Sequence, residues 1–323
     1  MSDRVDVTAT GTIPKIVCVV GPTSSGKTAL GIYLARCFDG EVINADARQV
    51  YQEVDIGTGK PSTGKQGIYR RRKIFLVEGI PHHLMDILPP DQLMTVAEWR
   101  RQAMEKIRVI TRRQHLPFVV GGSGLYIQSL IDNYQIPAVP PQSAFREAMH
   151  TKPLDELVKL LRRTDPEAAN VIDLQNRRRV LRALEVMTFT GRSFIENRSP
   201  GKKIVDALLL APFQEKEALH HRIEMSVNKM IDRGWIEEMQ RLSAKGISWG
   251  APAMTSIGYR ELGMHLRGEI TRPDAIERVK RATRQYAKRQ MTWFKRDKRI
   301  HWVKTSEEAS ALVRAWIDSP ETV

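Results

Sequence analysis

Cysteine is scarce in this chain: Cys18 and Cys37 are the only two in 323 residues. Two thiols cannot build a disulfide framework, and no CxxC pair is present to suggest zinc or redox chemistry. A reducing, cytoplasmic setting is therefore expected. No apolar run approaches the roughly 18 residues that a membrane-spanning helix needs. Residues 1–14 lack the apolar stretch of a signal peptide. Internal repeats and low-complexity tracts are missing as well. Acid is in deficit, with 37 Asp+Glu against 51 Lys+Arg, a net charge of +14. That imbalance favours a polyanionic partner such as nucleic acid, although charge says nothing about fold. The hydrophobic content of 41% is ordinary for a globular protein and excludes general disorder. At about 150 residues per domain, the length predicts one or two domains.

The apolar pattern predicts an α/β core. Residues 15–20, Lys-Ile-Val-Cys-Val-Val, form a short β-branched run ending at Gly21, which reads as a buried strand. A helical stretch from Lys27 to Phe38 leads to a second run, Glu41-Val42-Ile43-Asn44. Val96, Trp99, Ala103, Ile107 and Ile110 recur every three or four residues, so 95–114 is expected to be an amphipathic helix. Leu116 to Val120 then gives another strand, broken by Gly121-Gly122. Alternating strands and helices indicate βαβ units around a parallel sheet. Pro137, Pro140 and Pro141 mark a change of texture, followed by about sixty residues of helical pattern with Leu154, Leu157, Leu160 and Leu161 on one face. A second break falls near Ser199-Pro200-Gly201. Residues 204–211 and Ile300 to Val303 then look like further core strands. The order predicts a helical domain at 138–200 inserted into a discontinuous core of 14–137 and 201–305, with 1–13 and 306–323 as peripheral tails.

The basic residues cluster. Arg278 to Arg299 holds ten Lys/Arg and a single acid, Asp297, with Tyr286, Trp293 and Phe294 among them. Arg177-Arg178-Arg179 and Arg182 form a second group. A solvated helix face carries charge of this kind too. Two clusters with interleaved aromatics favour a nucleic-acid surface, since phosphates bind Lys and Arg and bases stack on rings.

Gly21-Pro22-Thr23-Ser24-Ser25-Gly26-Lys27-Thr28 matches G-x-x-x-x-G-K-[ST] in full, between a predicted strand and a predicted helix. Such a loop turns backbone N–H groups onto phosphate oxygens at a helix N-terminus. Lys27 adds a point charge, and the Thr28 hydroxyl can ligate Mg²⁺. The loop identifies a diphosphate or triphosphate and no more; an isoprenyl diphosphate satisfies it as well as ATP does. Asp46, in Asp46-Ala47-Arg48-Gln49, follows the second strand at the carboxyl end of a parallel sheet, where ligands bind. Near cationic groups it would stay ionised and could act as general base, yet a turn Asp has the same appearance. Gly121-Gly122-Ser123-Gly124 offers a hydroxyl and close backbone approach, and is also a plain turn motif. His82-His83 and His220-His221 are adjacent pairs and read as structural rather than as metal ligands. Asp86 has only a weak likeness to the metal-orienting Asp of nucleotide hydrolases.

Eight segments occur in order: the phosphate loop (21–28), Asp-Ala-Arg-Gln-Val-Tyr (46–51), Asp-Ile-Gly-Thr-Gly-Lys-Pro (55–61), His-His-Leu-Met-Asp-Ile (82–87), Val-Gly-Gly-Ser-Gly-Leu-Tyr (120–126), Arg-Ala-Leu-Glu-Val (182–186), Ile-Gly-Tyr-Arg (257–260) and Lys-Arg-Gln-Met-Thr-Trp-Phe (288–294). From Lys15 to about Val303 the chain resembles the bacterial-type tRNA dimethylallyltransferases, also called tRNA isopentenyltransferases. The resemblance implies a P-loop NTPase-like parallel sheet flanked by helices, with an inserted all-helical domain that grips the tRNA anticodon stem-loop. It implies transfer of a dimethylallyl group from dimethylallyl diphosphate to the exocyclic amine of the adenine just 3′ of the anticodon, in tRNAs reading codons that begin with U. The target base would be flipped out of its stack. Mg²⁺ at Thr28 is the implied cofactor, and a monomer is expected.

By the same resemblance, Asp46 is the expected base, Lys27 and the loop Gly21–Thr28 hold the diphosphate, and Ser123 orients it. Asp46, Ala47, Arg48, Gln49, Ser123, Arg146, Arg178, Arg179, Arg182, Gly258, Tyr259, Arg260, Lys288, Arg289, Gln290 and Trp293 fall at tRNA- or substrate-contacting positions. Three residues depart from the family pattern: Ala47 replaces a serine, Ser123 a threonine, and Ser226 an arginine. The runner-up reading is a P-loop phosphotransferase or ATPase acting on nucleic acid. A non-catalytic RNA-binding module that keeps the loop as scaffold is a third.

Overall fold

A computed structural model describes residues 13–134, 139–196 and 201–319. Pro137 and Ser199-Pro200, read above as boundary residues, lie outside these ranges, as do 1–12 and 320–323. The chain divides into two compact units, one of Met1–Met94, Glu98–Ile127 and Ile204–Val323, the other of Thr95–Ala97 and Gln128–Lys203.

The first unit begins with β1 (Lys15–Val20), α1 (Lys27–Cys37) and β2 (Gly40–Asn44). β1 is buried from Ile16 to Val20 and β2 along its whole length, the burial expected of strands covered on both faces. There follow β3 (Gly64–Tyr69), β4 (Arg72–Val77) and β5 (Ile80–His83), which sequence reading did not find. They are joined by two-residue turns at Arg70-Arg71 and Glu78-Gly79, and all four turn residues have positive φ, as a type I′ hairpin turn requires. Then come α2 (Val96–Arg112), β6 (Leu116–Gly121) and α3 (Gly124–Ile131). α2 turns Trp99, Ala103, Ile107 and Ile110 inward, as its periodicity predicts.

The second unit is helical, with α4 (Ser143–His150), α5 (Leu154–Thr164), α6 (Pro166–Val171) and α7 (Arg177–Thr190) around Leu157, Leu161, Ala168, Val180 and Leu184. Asp165 starts α6 by accepting from Ala168 N, and Asn176 starts α7 by accepting from Arg179 N. This unit begins at Gln128, ten residues before the expected 138. Its two connecting segments are hydrogen-bonded to each other, Gly201 N to Asp132 O and Asn133 Nδ2 to Lys202 O.

The first unit resumes with β7 (Asp206–Pro212), α8 (Lys216–Asp232), α9 (Trp235–Ala244), α10 (Tyr259–Leu266), α11 (Arg272–Phe294), β8 (Ile300–Val303) and α12 (Ser306–Asp318). Its eight strands form one sheet in the order β3-β4-β5-β2-β6-β1-β7-β8, parallel from β5 to β8, with the hairpins adding an antiparallel edge. α12 corrects the reading of 306–323 as a peripheral tail. Its Ala309 and Val313 are fully buried in one core with Val17, Leu34 and Leu210. Their spacing of four places both on one face of the helix, which docks beside α1. No described helix is long and apolar enough to cross a membrane.

Val313→Asp would bury an unpaired carboxylate in that core and is expected to lower unfolding free energy by at least about 3 kcal/mol, read by urea denaturation. His82 offers a second test. Burial in β5, assisted by the neighbouring His83, lowers its pKa to about 4, against the raising effect of its bond to Ile80 O. The folded chain keeps His82 neutral while the unfolded chain binds a proton from about pH 6.5 downward. Stability from this group is thus complete above pH 6.5 and lost as the pH falls toward 4. Between pH 7 and 4.5, His82→Asn is expected to lose about 2 kcal/mol less than the parent chain.

Candidate active site

Three loops meet at the carboxyl ends of neighbouring strands in the first unit: Gly21–Gly26 after β1, Ala45–Arg48 after β2 and Gly121–Gly124 after β6. β6 lies between β1 and β2, so these are adjacent mouths of one sheet. Gly21 has φ +140° and Gly26 +92°, conformations that favour glycine, and Gly26 opens α1. Ser24 takes φ +61° without being glycine. Lys27 Nζ donates to Pro22 O at 3.1 Å. Burial lowers the Lys27 pKa, and the charge of Asp46 pulls in the opposite direction. The Ser25 hydroxyl is buried with no partner among the described residues.

Asp46 forms a local turn, its Oδ1 accepting from Arg48 N at 2.9 Å. Its own N–H donates to Asn44 Oδ1 at 3.0 Å, and Asn44 Nδ2 donates back to Asp46 O at 3.1 Å. Oδ1 thus serves the turn, while Oδ2 has no hydrogen-bond partner among the described residues. Ser123 Oγ accepts from Ala47 N at 3.0 Å and Ser123 N donates to Ala45 O at 3.1 Å, tying the β6 loop to the β2 loop. Tyr126 stacks on Trp99 with ring centroids 4.5 Å apart, and Trp99 Nε1 donates to Asn44 O. Burial raises the pKa of Tyr126 and of Tyr286 beyond the ordinary tyrosine range, with the charge of Asp46 adding to each.

The glycines of the β6 loop are where other backbone and α11 close in. A Cβ at Gly121 would lie 2.2 Å from the Ala45 carbonyl, at Gly122 2.3 Å from Gln290 Nε2, and at Gly124 2.4 Å from the Trp293 ring. Gln290 and Trp293 are three residues apart on α11 and share a face. Trp293 keeps 38% of its surface exposed.

Several residues expected at tRNA-contacting positions make contacts inside the fold. Gln290 is buried; its Oε1 accepts from Thr23 N at 2.9 Å and its Nε2 donates to Gly122 O at 2.8 Å. Tyr259 is fully buried and its hydroxyl donates to Glu238. Glu238 also accepts from Asp55 N and Ile56 N, fixing the 55–61 segment. Gly258 takes φ +89° against the Trp235 ring, which a Cβ would meet at 2.0 Å. Gln49 donates to Thr58 O and Gly59 O, and Arg48 to Pro252 O. In the helical unit Arg146 makes a two-pronged pair with buried Glu185, at 2.9 Å on each prong, and Arg182 donates to Glu185 and to Val139 O. Arg177, counted in the basic cluster, donates to the carbonyls of Met149, His150 and Lys152. Gly258, Tyr259 and Gln290 are thus each engaged by packing or buried hydrogen bonds within the fold. Arg178, Arg179, Lys288 and Arg289 are exposed, and Arg260 is exposed beside Glu261.

Sequence reasoning missed Lys60. Its side chain is 2% exposed, pairs with Asp55 and Asp86 and donates to Tyr51 O. Asp86 is thus the counter-ion of a buried lysine. His83 pairs with buried Glu41 at 2.6 Å, so the His82-His83 pair is structural. Burial alone would raise the Glu41 pKa, but His83 and Arg113 more than reverse that and lower it. Among the described residues no cluster of three or more His, Cys, Asp or Glu could hold a metal ion. The Thr28 hydroxyl at the start of α1 has no hydrogen-bond partner among the described residues. It suits a Mg²⁺ that draws its other ligands from substrate phosphate and water, as that ion commonly does.

Residues 49–297 match the family model described as IPP transferase. The tRNA dimethylallyltransferase of Anoxybacillus flavithermus is 40% identical over 296 residues, 91% of each chain. That of Streptomyces coelicolor is 36% identical over 96% of this chain and 97% of its own. The crystal structure of tRNA delta(2)-isopentenylpyrophosphate transferase from Staphylococcus epidermidis superposes with a TM-score of 0.67 at 35% identity, covering 94% of this chain and 99% of that one. A eukaryotic dimethylallyltransferase acting on tRNA gives a TM-score of 0.77 at 28% identity, over 96% and 81%.

The buried hydroxyl of Tyr259 provides a direct check on its place in the fold. Tyr259→Phe is expected to reduce stability by about 1 kcal/mol through the lost donor to Glu238. Affinity for an anticodon stem-loop RNA, measured by filter binding, should stay within about twofold. A large loss of RNA affinity with unchanged stability would return Tyr259 to the RNA surface.

Proposed function

Since the chain belongs to the IPP transferase family, we propose that it transfers a dimethylallyl group from dimethylallyl diphosphate to the exocyclic amine of adenine 3′ of the anticodon, in tRNAs reading codons that begin with U. The observation that carries this reading is the convergence of three sheet-end loops, which brings a complete phosphate loop, Asp46 and Ser123 to one place. A phosphotransferase could use the same loop and carboxylate, but no observation favours that alternative, while the family match and the relatives support the transferase.

In the proposed reaction the amine nitrogen forms a bond to the allylic carbon as the carbon–oxygen bond to diphosphate breaks. The nitrogen's proton passes to Asp46 Oδ2, the oxygen left over by the turn. Diphosphate leaves with the carbon–oxygen electron pair, and the negative charge that develops on it falls on the loop amides, the α1 N-terminus and Lys27. Lys27 suits this task because it is held where burial disfavours its own charge, so an arriving anion stabilises it. Mg²⁺ held at Thr28 would supply further charge neutralisation at the diphosphate. Ser123, anchored through Ala47, orients the β6 loop against the donor. The exposed cations Arg178, Arg179, Lys288 and Arg289 are free to meet tRNA phosphates, which gives binding that weakens steeply with salt.

Incubation with Mg²⁺, unmodified tRNA and labelled dimethylallyl diphosphate, alongside γ-labelled ATP, separates the readings. Label should enter tRNA from the allyl donor alone; transfer or release only from ATP would refute the transferase. Asp46→Asn should leave tRNA affinity within a few-fold and remove most of the rate, about a hundredfold or more. Survival of activity in that variant would exclude Asp46 as the base.

A further inference from the structure

The Gln290 side chain sits in a position that RNA recognition does not explain. It leaves α11 and spans two loops at the sheet end, accepting from Thr23 N in the phosphate loop and donating to Gly122 O in the β6 loop, at 2.9 and 2.8 Å. It is only 6% exposed, and both ends of its amide are satisfied by backbone. Gly122 is shaped to receive it, since any Cβ there would press within 2.3 Å of Nε2. The loop it holds is under strain: Ser24, the next residue after Thr23, has φ +61°, a left-handed conformation that non-glycine side chains disfavour. A second glutamine, Gln214, donates to Ser25 O from the other side at 3.3 Å. Its immediate predecessors on α11 face elsewhere, while Tyr286 and Trp293 share its face. Lys288 and Arg289 are exposed, and Tyr286, one turn earlier, is close enough to Asp46 to feel its charge.

We propose that Gln290 is a positioning residue that braces the phosphate loop in its anion-binding shape and links it, through α11, to the exposed cations Lys288 and Arg289. The inference rests on the reading that this loop holds the diphosphate. The Thr23 and Gly122 bonds hold the loop backbone at its strained residue before any ligand arrives, so binding energy is not spent on ordering it. Because Gln290 and Lys288–Arg289 belong to one helical turn, an RNA that displaces the turn also displaces the brace. The Ser123 hydroxyl, one residue from Gly122 and bonded to Ala47 N, brings the Asp46 loop into the same frame.

The test uses the full chain and two variants, Gln290→Ala and Gly122→Ala, with their double variant. Titration calorimetry with inorganic pyrophosphate and Mg²⁺ reads the loop without requiring turnover. Gln290→Ala is expected to weaken pyrophosphate binding about tenfold, the scale of one or two neutral hydrogen bonds. It should raise KM for dimethylallyl diphosphate and lower kcat, while affinity for the anticodon stem-loop stays near the parent value and the chain remains fully folded at the assay temperature despite a modest fall in melting temperature. Gly122→Ala should give the same pattern, and adding it to Gln290→Ala should change pyrophosphate binding little further, since the side chain it collides with is gone. Unchanged pyrophosphate affinity with weakened RNA binding would overturn the proposal and make Gln290 an RNA contact. Parallel losses in pyrophosphate binding, RNA binding and melting temperature would also overturn it, leaving a purely structural residue. If the parent chain bound pyrophosphate but transferred no prenyl group, the transfer reading would fail while the pyrophosphate comparison still decided the brace.

Discussion

The structure of the site depends on what three glycines lack. Without side chains at Gly121, Gly122 and Gly124, the Ala45 backbone, the Gln290 amide and the Trp293 ring can each approach the β6 loop closer than any Cβ would permit. That contact joins the ends of β1, β2 and β6 to a helix from the far end of the sequence. A larger residue at any of the three positions would force α11 or the β2 loop away, and the spacing of Lys27, Asp46 and Ser123 would go with it. Close packing of this kind transmits displacements instead of absorbing them.

Buried carboxylates perform a comparable role elsewhere. Glu238 gathers backbone amides of the 55–61 segment and the Tyr259 hydroxyl. Glu185 gathers Arg146, Arg182 and the Gln142 amide, and Glu41 gathers His83, Arg113 and Tyr69. Each is fully or nearly fully buried. For Glu185 and Glu41 the donors include arginines, and removing such a charged partner leaves an uncompensated buried charge, a loss of about 3–5 kcal/mol. Glu238 in this way fixes the 55–61 segment, which has no ladder of its own to hold it.

Much of this organisation was legible in the sequence. β1, β6 and β7 announce themselves because strands buried on both faces are nearly continuously apolar, β2 by its shorter Val42-Ile43 pair, and the phosphate loop carries its own punctuation. β3 to β5 did not, for two reasons. Their turns use Arg-Arg and Glu-Gly in place of the usual Asn-Gly, and β3, with Gly, Lys, Gln and Gly, has no apolar face. α12 escaped because a short amphipathic helix near a terminus looks like any other tail until a core is there to receive it. For the site, residue type located the basic clusters but could not divide them. Arg177 and Arg182 make internal bonds while Arg178 and Arg179 between them do not, a difference set by helix phase and by the acids and carbonyls each one meets. Gln290 reads as a surface polar residue for the same reason: its partners are backbone atoms more than 160 residues away.

The sheet order also bears on how the protein can be made. β1 lies between β6 and β7, about a hundred and almost two hundred residues further along, and the edge beyond β7 is closed by β8 near the carboxyl terminus. A nascent chain emerging from the ribosome therefore carries β1 as an apolar ribbon with neither neighbour yet synthesised. The helical unit, whose contacts are local, lies between β6 and β7 in the chain and can fold before β7 is made, whereas the sheet is complete only once β8 follows. Synthesis thus leaves an apolar strand, residues 15–20, without a partner until β6 is made.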